Sequence, residues 1–227
     1  MKILAIEQSA SRAAAALAQD AHVLAARAWS QDRRRTGDLF RILPALLREA
    51  GATLASVDLF AVGIGPGSFS GLRAAVAAAS GMALPGRKPV LGIGSAPALA
   101  LDLAGQTAAT AIGVVGDARR GSFWAAAYRA APEGLQEIAP PALADAAALQ
   151  QLLRGCAVVA TPHWDRIGNR LAQLVPDHAT LIRGNRSPSA AAVARLAFIR
   201  AVAAPVGGMP LCVPVPLYLH APTSARP

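Results

Sequence analysis

The chain has 227 residues, 54% hydrophobic and 15% charged, with a formal net charge of +9. That balance is enough to build one large domain or two small ones and excludes a disordered chain. No apolar run reaches the ~20 uninterrupted residues of a spanning helix, and Glu7, Gln8 and Ser9 cut the apolar start at Met1–Ile6 too short for a signal peptide, so a soluble cytoplasmic protein with no membrane association is expected.

Ile3–Ile6 reads as a strand, followed by a polar turn at residues 8–11. Ala13–Ala18 and Val23–Trp29 read as two further strands, although alanine is a poor strand former. A helix is predicted over Thr36–Ala50, where Leu39, Ile42, Leu43, Leu46, Leu47 and Ala50 follow the 3.6-residue period. Phe40 lies off that stripe and suggests a second apolar face; Pro44 should bend the helix and Gly51 end it. Leu59–Val62 is an apolar run of strand length that meets the turn residues Gly63, Gly65, Pro66 and Gly67. A helix of small residues then runs from Ser68 to Leu84, with Ser68 or Ser70 as its cap. Pro89–Gly94 reads as a strand and Ala96–Leu103 as a short helix.

Three strands followed by alternating helices and strands predict a mixed sheet with helices packed on it. Gly105-Gln106 marks the expected boundary between a first lobe, residues 1–104, and a second, residues 105–227. In the second lobe, strands over Ala111–Val115 and Phe123–Tyr128 flank a turn at Asp117–Gly121, and Pro132–Pro141 is loop or edge structure. A helix over Ala144–Leu153, a strand over Cys156–Ala160 and a helix over Trp164–Leu174 follow. An amphipathic helix spans Pro188–Ala203, capped by Ser187 or Ser189 and free to pack back on the first lobe; the tail at Val213–Leu219 is extended. The second half thus repeats the first in outline. The fold class is α/β.

Several catalytic templates fail. Neither Ser68 nor Ser70 has glycines two residues to either side, as a nucleophile elbow needs. Gly81–Lys88 lacks the Lys-Ser/Thr of a phosphate loop, and the glycines from Gly65 to Gly71 are one residue off the dinucleotide spacing. His22, His163, His178 and His220 never pair at ligand spacing, so no metal site is expected. Cys156 and Cys212 fall in no metal or redox pattern. Apart from Lys2 and Lys88 the positive charge is arginine, scattered except at Arg33-Arg34-Arg35 and not interleaved with aromatic residues.

What remains is a glycine turn with two readings. A strand that delivers glycines to a helix N-terminus can cradle an anion, with Glu7, Gln8, Ser9, Gly65, Gly67 and Ser68 around a phosphate or nucleotide. Equally, the glycines can serve only a tight strand-to-helix corner, with Glu7 a solvated strand end. Asp117 most simply bonds within its own turn, and His163 reads as a loop histidine. The helix after the glycines offers Gly67, Gly71, Ala74, Ala75, Ala78 and Gly81 on one side, a smooth surface that another helix backbone can approach closely. Together with the doubly apolar helix before it, it suggests a face for a partner protein.

The segments ILAIEQSA, FRILPALLREAG, GIGPGSFSGLRAAVAAASGMAL, DARRGSFWAAAY and PLYLH, in this order, resemble the bacterial TsaB (YeaZ) family over nearly the whole chain. The resemblance implies a two-lobed actin/hexokinase-like (ribonuclease H-like) fold and a non-catalytic subunit, sometimes labelled glycoprotease-like, with no cofactor of its own. It implies a role in forming N6-threonylcarbamoyladenosine in tRNA: the partner TsaD is the catalytic subunit, the TsaE ATPase joins the complex, and tRNA is reached through that complex. The helices at Thr36–Ala50 and Ser68–Leu84 would pair with TsaD or with a second copy of the chain, ATP or ADP being expected only at such a joint. Leu39, Ile42, Leu43, Leu46, Leu72, Arg73, Ala75, Val76, Ala78 and Ser80 are the interface candidates. The chain departs from the family's usual residues at Glu7 (Asp), Gly37-Asp38 (His-Ser), Ser122 (acidic) and His220 (Arg).

Overall fold

Inner strands rich in alanine hold here because both of their faces are covered. The computed structural model describes residues 1–31, 37–132, 134–204 and 213–220; Arg33-Arg34-Arg35, Thr36 and Cys212 lie outside these. In the first half, β1 (Lys2–Glu7), β2 (Arg12–Gln19) and β3 (His22–Ser30) form an antiparallel meander, and β4 (Leu59–Gly63) and β5 (Val90–Ile93) extend it in parallel, in the order β3-β2-β1-β4-β5. Alternate residues of β1 and β2 point to opposite faces, as the two-residue period of a strand requires. Leu4, Ile6, Ala15 and Leu17 meet α1 (Asp38–Glu49) and α2 (Phe69–Ala83) on one side. On the other side, Ile3, Ala5, Ala14, Ala16 and Ala18 form a shallower surface.

The second half repeats this order. The strands β6 (Ala111–Asp117), β7 (Phe123–Ala131), β8 (Gly134–Ala144), β9 (Val158–Thr161) and β10 (Thr180–Asn185) form a mixed sheet in the order β10-β9-β6-β7-β8. Helices α4 (Ala146–Leu153) and α5 (Trp164–Ala172) supply Leu149, Leu153, Ile167 and Leu171 to one of its faces. Two-lobed α/β architecture is therefore observed, each lobe having its own mixed sheet.

The lobes exchange their last helices. Helix α3 (Ser95–Thr107) ends the first repeat, yet its Ala96, Leu99, Ala100 and Leu103 pack with Ile112, Val114 and Trp124 of the second sheet. Helix α6 (Ala190–Ala203) ends the second repeat, and its Ala190, Val193, Ala194 and Ala197 fill the alanine-lined face of the first. A boundary at residues 104/105 therefore cuts inside α3, which is longer than its sequence suggested and belongs in space to the other lobe. Small residues on α6 match small residues on β1 and β2, so helix and sheet approach closely.

Where α3 and α6 cross, Asp102 accepts hydrogen bonds from the Ser189 amide at 2.8 Å and from its hydroxyl at 2.7 Å. Ser189 Oγ in turn accepts from the Ala192 amide at 3.0 Å, capping α6. Burial pushes the Asp102 carboxyl above its ordinary range, and the Ser189 bonds oppose that shift. Sequence reading left β10 unassigned: its six residues are interrupted by Arg183 and Gly184, and only half-buried positions mark it. The segment read as loop or edge before residue 141 is the edge strand β8.

Two stability outcomes follow from this packing. Asp102→Ala removes both bonds and should cost about 2 kcal/mol, Ser189→Ala about 1 kcal/mol, and the double variant should cost less than their sum in urea unfolding. Tyr128 is buried in the second core with no hydrogen-bond partner for its hydroxyl; Tyr128→Phe should match or exceed the wild-type midpoint, because no bond is lost.

Candidate partner face and interlobe cleft

Strands β1, β4 and β5 end side by side, and their ends carry the glycine turn. The first turn of α2 is occupied by the chain itself. Ser68 donates its amide to the Ser9 carbonyl at 2.7 Å, and its hydroxyl accepts from the Gly71 amide at 3.3 Å. A Cβ on Gly67 would stand 2.3 Å from the Ser9 carbonyl oxygen, and one on Gly71 would stand 2.1 Å from that of Gln8. These glycines are needed because the β1–β2 turn lies against them.

Glu7 closes the same corner. Its carboxyl lies over Gly63, where a Cβ would fall 2.0 Å from Oε2. Oε1 accepts the Ser9 amide at 2.6 Å, and Ser95 Oγ, which itself accepts from the Gly65 amide at 3.1 Å, lies 2.8 Å from Oε2. The residue is fully buried, and that burial raises its pKa against the opposing hydrogen bonds. Glu7 is thus not a solvated strand end but a buried acid tying together β1, the glycine turn and α3. Gln8 and Ser9 are buried beside it, so the six residues named for a phosphate do converge, around one another.

On the helices, burial divides the interface candidates. Leu39, Leu43 and Leu46 of α1, and Leu72, Ala75, Val76 and Ala78 of α2, are buried; all but Leu72 are placed in the core under these helices. Ile42 and Ser80 are half-buried, and Arg73 is exposed. The apolar stripe read from the 3.6-residue period is therefore the core side of α1. Its outer side carries Phe40, 59% exposed, with Pro44 and Ala45. The outer side of α2 carries Ser70, Ala74, Ala77 and Gly81, with Phe69 at 55% and Leu84 at 76% exposure at the two ends. Gly37, with φ +96°, precedes α1 without capping it, and Asp38 in the first turn pairs with Arg41 at 2.9 Å.

One feature of this face was missed from sequence. The tail at residues 213–220 lies along the N-terminal end of α2: the Leu217 amide bonds to the Ile64 carbonyl at 2.7 Å. Arg73 donates to the Tyr218 hydroxyl at 3.0 Å and sits 3.9 Å over the Phe69 ring. The i, i+4 spacing of Phe69 and Arg73 was the available signal, but their third member is 145 residues away. His220 ends the tail 2.6 Å from the Ala118 carbonyl, to which its Nε2 donates.

Between the lobes, a cleft of about 590 Å³ is lined by polar groups that include Arg12, Gln31, Gln106 and Arg186 over Leu99 and Leu103. At the far end of β6, Asp117 accepts the Arg119 amide at 2.8 Å, the turn bond that its sequence suggested. His163 is not a free loop histidine: its Nδ1 accepts the Asp117 amide at 3.0 Å, and burial and the nearby Arg166 push its pKa down to about 4. It is neutral at pH 7, with its proton on Nε2. Among the described residues no three His, Cys, Asp or Glu side chains converge as metal ligands, and no helix is long and apolar enough to cross a membrane.

Comparison with known proteins places this geometry. The family model described as TsaD, tRNA N6-adenosine threonylcarbamoyltransferase, matches residues 22–173. The tRNA threonylcarbamoyladenosine biosynthesis protein TsaB of Escherichia coli (strain K12) is 30% identical over 135 residues, covering 60% of this chain and 58% of that relative's own length. Two solved structures from Pseudomonas aeruginosa share the fold. One is of an uncharacterized protein with similarity to peptidase YEAZ (TM-score 0.79) and one of YeaZ (TM-score 0.76); each is 23% identical, covering 96% of this chain and 99% of theirs. The two Pseudomonas aeruginosa structures agree on the fold, and with a family model matched over most of its length the chain belongs to the family of the TsaD model.

Proposed function

We propose that the chain is a non-catalytic subunit in the formation of N6-threonylcarbamoyladenosine in tRNA, docking on the TsaD catalytic subunit through the outer sides of α1 and α2. TsaE joins the larger assembly, and the tRNA is reached through it. The observation that carries this reading is the outer side of α2, where Ser70, Ala74, Ala77 and Gly81 leave a smooth track, flanked by Arg73, between exposed Phe69 and Leu84. Such a track lets a second helix approach at backbone distance, and the two apolar ends supply area to bury. The match of this chain to the TsaD model gives the partner a related frame. Related frames can pair through like faces, as identical ones do in a two-fold dimer, so a second copy of this chain is the competing occupant.

The rival reading is a small-molecule kinase or ATPase working from Glu7 and the glycine turn. The geometry weighs against it. An acid that holds a metal–phosphate complex must be ionised and reachable, whereas Glu7 is buried, shifted toward its neutral form and bonded to Ser9 and Ser95. The Ser68 and Gly71 amides are likewise taken within the chain. In this reading ATP or ADP is assigned to the joint between subunits.

Ala77→Trp, on the outer track, should weaken capture of TsaD at least tenfold (about 1.4 kcal/mol) while the thermal midpoint stays near wild type; undiminished capture removes this interface. Ala75→Trp, by contrast, overfills a fully buried position and should unfold the chain. Glu7→Gln should keep both the fold and the capture of TsaD. Because the folded-state pKa of Glu7 is raised, its protonated form is favoured on folding; stability is full below the ordinary glutamate pKa and declines as pH rises toward the raised one. Urea midpoints from pH 4 to 8 should show that decline flattened in Glu7→Gln. ATP hydrolysis by the isolated chain that vanishes in this variant would put the rival in its place.

A further inference from the structure

The turn that joins β6 to β7 is built to hold two arginines outward. Arg119, Arg120 and Gly121 take left-handed backbone conformations in succession, with φ of +68°, +48° and +78°, a region that side-chain-bearing residues seldom occupy. Both arginine side chains are exposed.

The turn is fastened from behind. His163 takes the Asp117 amide at 3.0 Å, Arg166 reaches Asp117 Oδ2 at 3.5 Å, and Arg170 donates to the Gly121 carbonyl at 2.6 Å. Arg170 also lies 4.6 Å over the Phe123 ring, and His220 of the tail fixes the Ala118 carbonyl. The acids here are engaged: Asp117 by the Arg119 amide and Arg166, and Asp165 by the Asn185 amide group. Among the described residues Arg119, Arg120 and Arg170 enter no ion pair. Beside them, Trp164, Asp165, Arg166, Asn169 and Arg170 line a hollow of about 300 Å³ on α5.

We propose that this turn and the adjoining face of α5 bind the phosphodiester backbone of RNA directly, Arg119 and Arg120 taking neighbouring phosphates and Arg166 and Arg170 continuing the track. The backbone that carries Arg119 and Arg120 is fixed. The Arg166 guanidinium is held by Asp117, and that of Arg170 by the Gly121 carbonyl and the Phe123 ring, so this latter pair loses little freedom on meeting a phosphate. A net charge of +9 draws a polyanion toward the chain from a distance, and the fixed turn gives it a place to land. An acidic protein surface would also suit a basic patch; RNA is favoured because this inference rests on the tRNA-modification reading above. The turn belongs to the second lobe and the outer sides of α1 and α2 to the first, with the tail between them: His220 meets Ala118 and Tyr218 meets Arg73.

The test is fluorescence anisotropy of an unmodified tRNA transcript with the full chain across a salt series. Glycine accepts the left-handed backbone, so Arg119→Gly/Arg120→Gly keeps the turn while deleting both charges. It should weaken binding about tenfold at low salt and make the log–log salt slope shallower by about 2, one for each lost phosphate contact. Arg48→Ala/Arg87→Gly removes the same charge from exposed positions on the first lobe and should stay within about twofold of wild type. Equal losses in the two double variants would reduce the effect to overall charge and overturn the proposal. So would poly-glutamate competing as strongly as RNA of equal charge, which would indicate an acidic protein instead. Capture of TsaD by the Arg119→Gly/Arg120→Gly variant separates this outcome from the docking reading: retained capture alongside failed RNA binding by the wild type sinks only the RNA site.

Discussion

Each sheet of this protein is completed by a helix from the other half of the chain. Helix α6 covers the alanine-lined face of the first sheet, and α3 covers the matching face of the second. The buried Asp102–Ser189 contact fixes where they cross. Neither lobe can bury its apolar face alone, so the geometry of the cleft between them is a consequence of core formation. That constraint sets the lining of the cleft: the start of β2, the end of β3, α3 and the loop before α6 are held in one arrangement.

Within that frame, the glycine turn shows how the same residues can make a ligand cradle or a sealed corner. The deciding feature is what faces the free amides. Here it is Ser9, Gln8 and the buried Glu7 carboxyl, so the corner is closed by the chain's own polar groups. Closing it stiffens the N-terminal end of α2, and the tail adds a second brace through Leu217 and Tyr218. A rigid α2 presented with a smooth outer side is better suited to shaping a neighbour than to changing shape around a substrate.

Most elements were legible in the sequence, because glycine and proline punctuation and apolar periodicity are local signals. The alanine strand β2 could be read for the same reason, although its stability comes from burial on two faces and not from propensity; β3 lies at the sheet edge with Ala25 as its one buried residue. The choice of interface residues was less legible. On α1 the strongest stripe, Leu39, Leu43 and Leu46, goes to the core, and the informative residue was the one off the pattern, Phe40. On α2 no pattern exists, since Ala74 and Ala77 are chemically the same as Ala75 and Ala78; only the packing tells outside from inside. Contacts such as Arg73–Tyr218 and Asp102–Ser189 join positions 145 and 87 residues apart, and no local rule reaches that far.

The exchanged helices also impose an order of events on a growing polypeptide. Strands β1 to β5 leave the ribosome long before residues 190–203, so one side of the first sheet stays uncovered until α6 has been made. Over β1 and β2 the surface left bare is mostly alanine, which offers a passing chaperone or another nascent chain less to hold than leucine or phenylalanine. A sheet that must wait for α6 is served by a waiting face with little stickiness.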